Sequence, residues 1–250
     1  MLSFSKYEGA GNDFILIEDF SGSFPFERVQ SLCDRKRGIG ADGLILLQRS
    51  KKADFRMRIF NADGSEAAMC GNGLRCFGQF LLDLGFKDSS YRIETNSGVL
   101  TAWSEKGKMF TQLGCPREIF WNRGFAWKGD ALRGYAVDTG VPHLIFFQEV
   151  QEFPLFARQL RAQENMNVSI ASVLDTCALL LCTYERGVEA VTLACGTAAV
   201  ASAFIATKLF GWEGRKISVT TASGDLLEVE GTVVTGPVVK VFHGALSLFL

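Results

Sequence analysis

One short pattern occurs twice in this chain, and it constrains the fold more than any other feature. Met69-Cys70-Gly71-Asn72-Gly73-Leu74-Arg75-Cys76-Phe77 sets a cysteine at the mouth of a helix-period run, and Ala194-Cys195-Gly196-Thr197-Ala198-Ala199-Val200-Ala201 does so again. Each copy reads Cys-Gly, then a small polar residue, then an amphipathic helix. The first helix closes on Leu84-Gly85 and the second on Phe210-Gly211, glycines suited to a helix C-terminus. A polar stretch and a strand follow each helix, with matching ends: Ile93-Glu94-Thr95-Asn96-Ser97-Gly98 and Val219-Thr220-Thr221-Ala222-Ser223-Gly224. The same order at nearly the same spacing predicts two copies of one structural unit. Each copy aims a thiol from a helix N-terminus.

With 250 residues the chain accommodates one large domain or two smaller ones, and the repeat favours two. The expected halves are 1–115 and 116–238, divided near Pro116, with an apolar tail at 239–250 crossing back onto the first half. A composition of 48% hydrophobic and 21% charged residues is that of a soluble globular protein. A net charge of -1 offers no electrostatic footprint for nucleic acid or an anionic membrane surface. Met1-Leu2-Ser3-Phe4-Ser5-Lys6 lacks the charged start and apolar run of a signal peptide, and no apolar run reaches membrane-spanning length. A cytoplasmic location is expected. Seven cysteines, an odd number, argue for reduced thiols over a disulfide framework. Cys33, Cys115, Cys177 and Cys182 read as packing residues. His143 and His243 are the only histidines, and no cysteine pair has zinc spacing backed by them. No metal site is expected.

Taken in order, Phe4-Ser5-Lys6-Tyr7-Glu8, the turn Gly9 to Asp13 and Phe14-Ile15-Leu16-Ile17 read as strand, tight loop, strand. Asn12 and Asp13 fit either turn caps or ligand contacts. Phe26 to Asp34 has helical spacing, with Arg35-Lys36-Arg37 as a cationic helix end. Those three charges fit a solvated face or a substrate role. Gly38-Ile39-Gly40-Ala41-Asp42-Gly43 turns into a buried-type strand at Leu44 to Leu47, and it lacks the dinucleotide fingerprint. Phe55 to Phe60 alternates as a half-buried strand and delivers Asn61 to Glu66 ahead of Cys70. Leu179 to Tyr184 likewise delivers Glu185-Arg186-Gly187 ahead of Cys195. Aromatic-rich strands fill 99–137, and Val137 to Phe147 resembles the first loop region.

A cysteine at a helix N-terminus lies beside N–H groups without intrahelical acceptors and at the positive end of the dipole. Both favour thiolate, and the same N–H groups hold a carboxylate. Two such ends facing one substrate would put a sulfur on each side of its α-carbon. One thiolate would remove the α-proton while the other thiol protonates the opposite face. The outcome is inversion, with no cofactor required. Cys76 lies deeper in its helix, has no counterpart in the second copy, and reads as core.

The chain resembles the diaminopimelate epimerase family. The likeness is carried by Gly-Ala-Gly-Asn-Asp-Phe at 9–14, Gly-Ile-Gly-Ala-Asp-Gly at 38–43 and Phe-Asn-Ala-Asp-Gly-Ser-Glu at 60–66. Met-Cys-Gly-Asn-Gly-Leu-Arg-Cys at 69–76, Tyr-Glu-Arg-Gly at 184–187 and Ala-Cys-Gly-Thr at 194–197 complete it. The resemblance implies an α/β (α+β) fold of two pseudo-symmetric halves, each a curled, mostly antiparallel sheet around a central helix. It puts the active site in the cleft between the halves. The implied activity is cofactor-independent interconversion of LL- and meso-diaminopimelate, a small amino-acid substrate, on the route to lysine and peptidoglycan. Cys70 and Cys195 would be the acid–base pair. Gly71, Asn72, Gly196 and Thr197 would hold the reacting carboxylate. Asn12, Asn61, Asn167, Glu185 and Arg186 would orient the substrate, with Arg186 suited to its distal carboxylate. From the residues alone, Asn61 and Asn167 also fit turns, and His143, matching the family's Pro-His pair, also fits a structural role. Dimers occur in the family, so a homodimer stays open.

Two departures stand on the substrate-reading side. The family's Gly-Asn-Pro-His is Gly140-Val141-Pro142-His143 here, and Val141 cannot hydrogen-bond through its side chain. Its Glu-Arg-Gly-x-Gly-x-Thr run is Glu185 to Thr192, one residue longer and without the second glycine. Relaxed specificity, extending to a shorter diacid such as glutamate, is the expectation drawn from them. Other readings are a proline-racemase-like enzyme, which Asn72 and Glu185-Arg186-Gly187 disfavour, and a non-catalytic carboxylate-binding protein, which the two cysteines disfavour. Oxidation of two opposed thiols is a further liability.

Overall fold

The structure is a computed structural model, and it describes residues 1–246. The chain divides into two compact units, Met1–Gln112 with the return from Gly236, and Leu113–Thr235.

The first unit begins with a hairpin of β1 (Leu2–Gly9) and β2 (Asn12–Glu18). Its two-residue turn has both residues at positive φ, Ala10 at 55° and Gly11 at 80°, the twist that two-residue hairpins prefer. A 3-10 turn at Phe26–Arg28 and the short α1 (Val29–Cys33) connect β2 to β3 (Gly43–Gln48), which pairs parallel to it. The helix read over Phe26 to Asp34 is therefore broken and short. Asp34 ends it by accepting from the backbone N–H groups of Lys36 and Arg37. β4 (Phe55–Asn61) returns antiparallel, and β5 (Glu66–Ala67) is a two-residue partner at its end. α2 (Gly71–Asp83) then crosses to β6 (Tyr91–Thr95), parallel to β4, followed by β7 (Gly98–Glu105) and β8 (Lys108–Gln112).

The second unit repeats this order element for element. β9 (Arg117–Trp127) flanks β10 (Asp130–Asp138), which makes a hairpin with β11 (Pro142–Phe146). α3 (Phe153–Glu164) crosses to the parallel β12 (Asn167–Asp175), and β13 (Ala178–Glu185) returns with the short β14 (Ala190–Thr192) at its end. α4 (Gly196–Phe210) crosses to β15 (Ile217–Thr220), parallel to β13, and β16 (Leu226–Glu230) and β17 (Val233–Thr235) close the unit. β18 (Val239–Leu246) pairs antiparallel with β1, as β9 pairs with β10. The expected tail runs on to 250, and residues 247–250 lie outside the described residues.

α3 is a helix beyond those expected from the sequence. Its signal was present: Pro154 in the first turn and Phe153, Phe156, Ala157 and Leu160 at helical spacing, all four buried. α4 was read as amphipathic, yet every residue from Gly196 to Ala203 is buried. It is a core helix wrapped by its own sheet, as the first eight residues of α2 are. Leu44, Ile45, Leu46 and Leu47 on β3 are fully buried, each worth about 1.5–3 kcal/mol of transfer free energy. Gly43 opens that strand because a Cβ there would sit 2.6 Å from the Phe60 carbonyl oxygen. Cys33 and Cys177 are buried and Cys182 half-buried, but Cys115 is exposed, against its reading as a packing residue.

Candidate active site

In both units a short strand is followed, three residues on, by a cysteine in extended backbone that caps the buried helix. Cys70 has φ -143° and ψ 122°, and Cys195 has φ -132° and ψ 107°. The carbonyl of each accepts the first intrahelical bond, from Leu74 at 2.9 Å and from Ala199 at 3.0 Å. The N–H groups of the first turn therefore point past the sulfur with no intrahelical acceptor. Gly71, Asn72, Gly196 and Thr197 supply them and are all buried, so a carboxylate bound there would meet little competition from water.

The two sulfurs differ in their neighbours. Cys70 Sγ accepts from the Gly73 N–H at 3.5 Å and donates to Asn12 Oδ1 at 3.6 Å. Asn12 is fixed in turn by its amide nitrogen, which donates to Asp42 at 2.9 Å. Asp42 belongs to a charged cluster in which Arg35 makes two bonds to Asp13 (2.9 and 2.7 Å) and one to Asp42 (2.7 Å), with Lys6 2.8 Å from Asp13. Burial pushes the Asp13 carboxyl up, but the bonds from Arg35 and Lys6 outweigh it and hold the group below the usual carboxylate range. Arg35 thus ties the start of β2 to the turn before β3 and is no helix end. Cys195 Sγ lies 3.3 Å from the Thr197 hydroxyl, and the Thr197 carbonyl accepts from Thr139 at 3.4 Å.

The residues expected to orient the substrate lie at or next to strand ends. Asn61 ends β4 opposite Gly43. Its side-chain nitrogen donates to Ser65 at 2.9 Å, so it serves its own turn and keeps its oxygen for other use. Asn167 opens β12 next to His143 on β11. It is buried, and its side-chain oxygen accepts the Arg186 backbone N–H at 2.8 Å. Glu185 accepts from the Thr192 hydroxyl, and the Arg186 guanidinium reaches the Asn165 carbonyl at 3.2 Å. In the lengthened hairpin Glu189 takes φ 58° where the family keeps a glycine. Its carboxylate repays that strain by accepting from Gly187 N–H at 3.0 Å and pairing with Arg161 of α3 at 2.6 Å. His143 is fully buried, neither ring nitrogen has a hydrogen-bond partner, and burial pulls its pKa down to about 3. Cys76 is fully buried and its thiol is pushed up by that burial, as a core residue's would be. Asp42 and Arg75 carry no local signal of a site role, although both lie inside the motifs at 38–43 and 69–76. No cluster of His, Cys, Asp and Glu able to hold a metal occurs among the described residues. None of the described helices is long and apolar enough to cross a membrane.

Solved structures share the fold at low identity. The PhzF family phenazine biosynthesis protein of Bacillus anthracis superposes with a TM-score of 0.76 at 17% identity, covering 98% of this chain and 99% of that one. A hydroxyproline epimerase from Agrobacterium vitis gives 0.70 at 14% identity, covering 97% and 90%. A duplicated sheet-and-helix unit with a cysteine capping each central helix defines the class: an isomerase built on the racemase and epimerase fold. Within that class the chain belongs to the diaminopimelate epimerase family. Residues 4–117 match that family. The diaminopimelate epimerase of Archaeoglobus fulgidus is 40% identical over 99% of this chain and 97% of its own length. That of Synechocystis is 37% identical over 97% and 98%.

Proposed function

We propose that this protein interconverts LL- and meso-diaminopimelate by passing the α-proton between thiols, with Cys70 and Cys195 as base and acid. The observation that carries this is the repeated cysteine cap, one thiol above buried first-turn amides in each unit of a family member. The thiolate sulfur takes the α-proton, and the C–H electron pair remains on the α-carbon, delocalised into its carboxylate. Amides of Gly71, Asn72, Gly196 and Thr197 bind that carboxylate and stabilise the charge as it develops. The other thiol gives its proton to the opposite face of the carbon, and the two sulfurs exchange protonation states.

Asn12, Asn61, Asn167 and Glu185 orient the amino acid, and Arg186 takes the distal carboxylate. Asn167 supports that role for Arg186 by anchoring its backbone. Free thiols at all seven cysteines suit a reducing cytoplasm, and the product serves lysine and peptidoglycan synthesis. Val141 favours one extension of this reading, a pocket that also admits glutamate.

The test is proton-exchange NMR of LL-diaminopimelate in D2O under reducing conditions. Wild type is expected to place deuterium at the α-position and to form the meso isomer. Cys70→Ala and Cys195→Ala are each expected to slow this by about 100-fold or more. A folded wild type that exchanges nothing would sink the reading.

A further inference from the structure

Arg75 is the most anomalous charge among the described residues. It lies on α2, five residues past Cys70, and is fully buried. One guanidinium nitrogen donates to the Asn72 side-chain oxygen at 2.7 Å, while Nε and the other terminal nitrogen have no partner. Among the described residues no carboxylate bonds to it. A buried guanidinium cannot shed its proton, and an uncompensated buried charge is among the costliest features a fold can carry. Some anion must answer it.

The groups around it are few. Besides the burial itself, the charges that act on it come, strongest first, from Cys76 on its own helix, from Cys70 at the cap and from Glu8 on β1. Tyr7, also on β1, is committed to Asp83 at 2.5 Å. The Glu8 carboxylate is engaged by the Gly11 N–H at 2.9 Å. The Cys76 thiol is held neutral by burial. Cys70, half-exposed at the helix mouth, is the group whose charge changes during the proposed reaction. The internal repeat isolates the feature. Aligning Cys70 with Cys195 sets Asn72 against Thr197 and Arg75 against Val200, so the second helix carries no charge at this place.

We infer that Arg75 is a positioning residue for catalysis: it is the buried counter-charge of the Cys70 thiolate, and through Asn72 it holds the first turn that binds the substrate carboxylate. This rests on the acid–base assignment proposed above. Asn12 acts in the opposite sense, since its oxygen accepts from the protonated sulfur. That S–H contact at 3.6 Å is long and weak, whereas a full charge in a low-dielectric interior acts strongly. Together they would keep Cys70 able to take and return a proton near neutrality.

The test needs no substrate. The pH dependence of iodoacetamide modification is followed peptide by peptide in the full-length protein, with exposed Cys115 as the internal reference. In wild type the Cys70 midpoint is expected below the ordinary thiol value of about 8.5. Arg75→Met, an apolar side chain of similar length, is expected to raise that midpoint by about one unit or more and to leave the Cys195 midpoint in place. Arg75→Lys, which keeps the cation, is expected to recover part of the shift. In turnover, Arg75→Met should lower kcat more than it raises KM. A folded Arg75→Met protein with an unmoved Cys70 midpoint would overturn the inference and leave Arg75 a structural residue. A raised KM with an unmoved midpoint would overturn it too, assigning Arg75 to the substrate carboxylate alone. If the midpoint shifts but no diaminopimelate exchanges in wild type, the inference stands and the substrate reading falls.

Discussion

Asp42 decides which end of Asn12 faces the Cys70 sulfur. Its carboxylate accepts the Asn12 amide nitrogen at 2.9 Å, which leaves the amide oxygen on the thiol side. A carboxylate accepts and cannot donate, so the amide has one satisfactory orientation. Asp42→Ala should free Asn12 to rotate and let its NH2 compete for the sulfur. The expected result is a loss of about tenfold in kcat, the worth of one hydrogen bond to a charged group, with the protein still folded by circular dichroism. An unchanged kcat would mean that Asn12 needs no such anchor.

This relationship shows what the sequence could and could not disclose. Both cysteine mouths were legible because helix caps and glycine stops are local signals, and α2 and α4 end at Asp83 and Phe210, beside the glycines that marked them. The glycine turn holding Asp42 was legible as a turn. Its bond to Asn12 joins that turn to the first residue of β2, thirty positions away, which no local pattern encodes. Nor does any local pattern encode the pairing of buried Lys6 on β1 with Asp13 on β2, or of Glu189 with Arg161 on α3. β5 and β14 are two and three residues long and exist only by pairing with β4 and β13. α3 is a different failure, since its apolar spacing was there to be read.

Buried His143 should make the fold acid-sensitive. Burial lowers its pKa from 6.5 to about 3, so between those values the unfolded chain binds a proton that the folded chain refuses. Its contribution to stability is therefore complete above about pH 6.5 and is lost progressively as pH falls toward 3. At pH 5 the loss is on the order of 1–2 kcal/mol. Urea unfolding at pH 7.5 and pH 5 would measure it in wild type and His143→Gln. The variant should lose less on acidification, and equal losses would show that His143 is not the group responsible.

Thr197 sets its hydroxyl 3.3 Å from the second sulfur, Cys195 Sγ. Thr197→Val keeps the shape and the backbone amide and removes only the hydroxyl. Carboxylate binding by the amide should survive, so KM is expected to stay within about twofold, while kcat falls about three- to tenfold. Steady-state kinetics in both directions separate the two parameters. A rise in KM alone would place the hydroxyl on the substrate and off the sulfur.

Val141 stands where the family carries an asparagine, in a turn whose backbone is already engaged. Its carbonyl accepts from Thr139 N–H at 3.1 Å, and Gly140 N–H donates to Asp138 at 2.8 Å. The residue precedes Pro142, which favours extended backbone for any side chain, so Val141→Asn can enter without refolding the turn. If position 141 reads the substrate, as proposed above, an isopropyl group there removes a polar contact and penalises no analogue that lacks the distal amine. An asparagine at a substrate-reading position leaves a polar group unpaired when the wrong ligand binds, and this is how sites reject analogues. Wild type is therefore expected to exchange the α-proton of L-glutamate slowly, and Val141→Asn to suppress that exchange about tenfold while lowering KM for diaminopimelate. Parallel NMR time courses in D2O with the two substrates measure both effects. If wild type leaves glutamate untouched, the lengthened hairpin with Arg186 and Glu189 already enforces selection, and the substitution at 141 has been absorbed without cost.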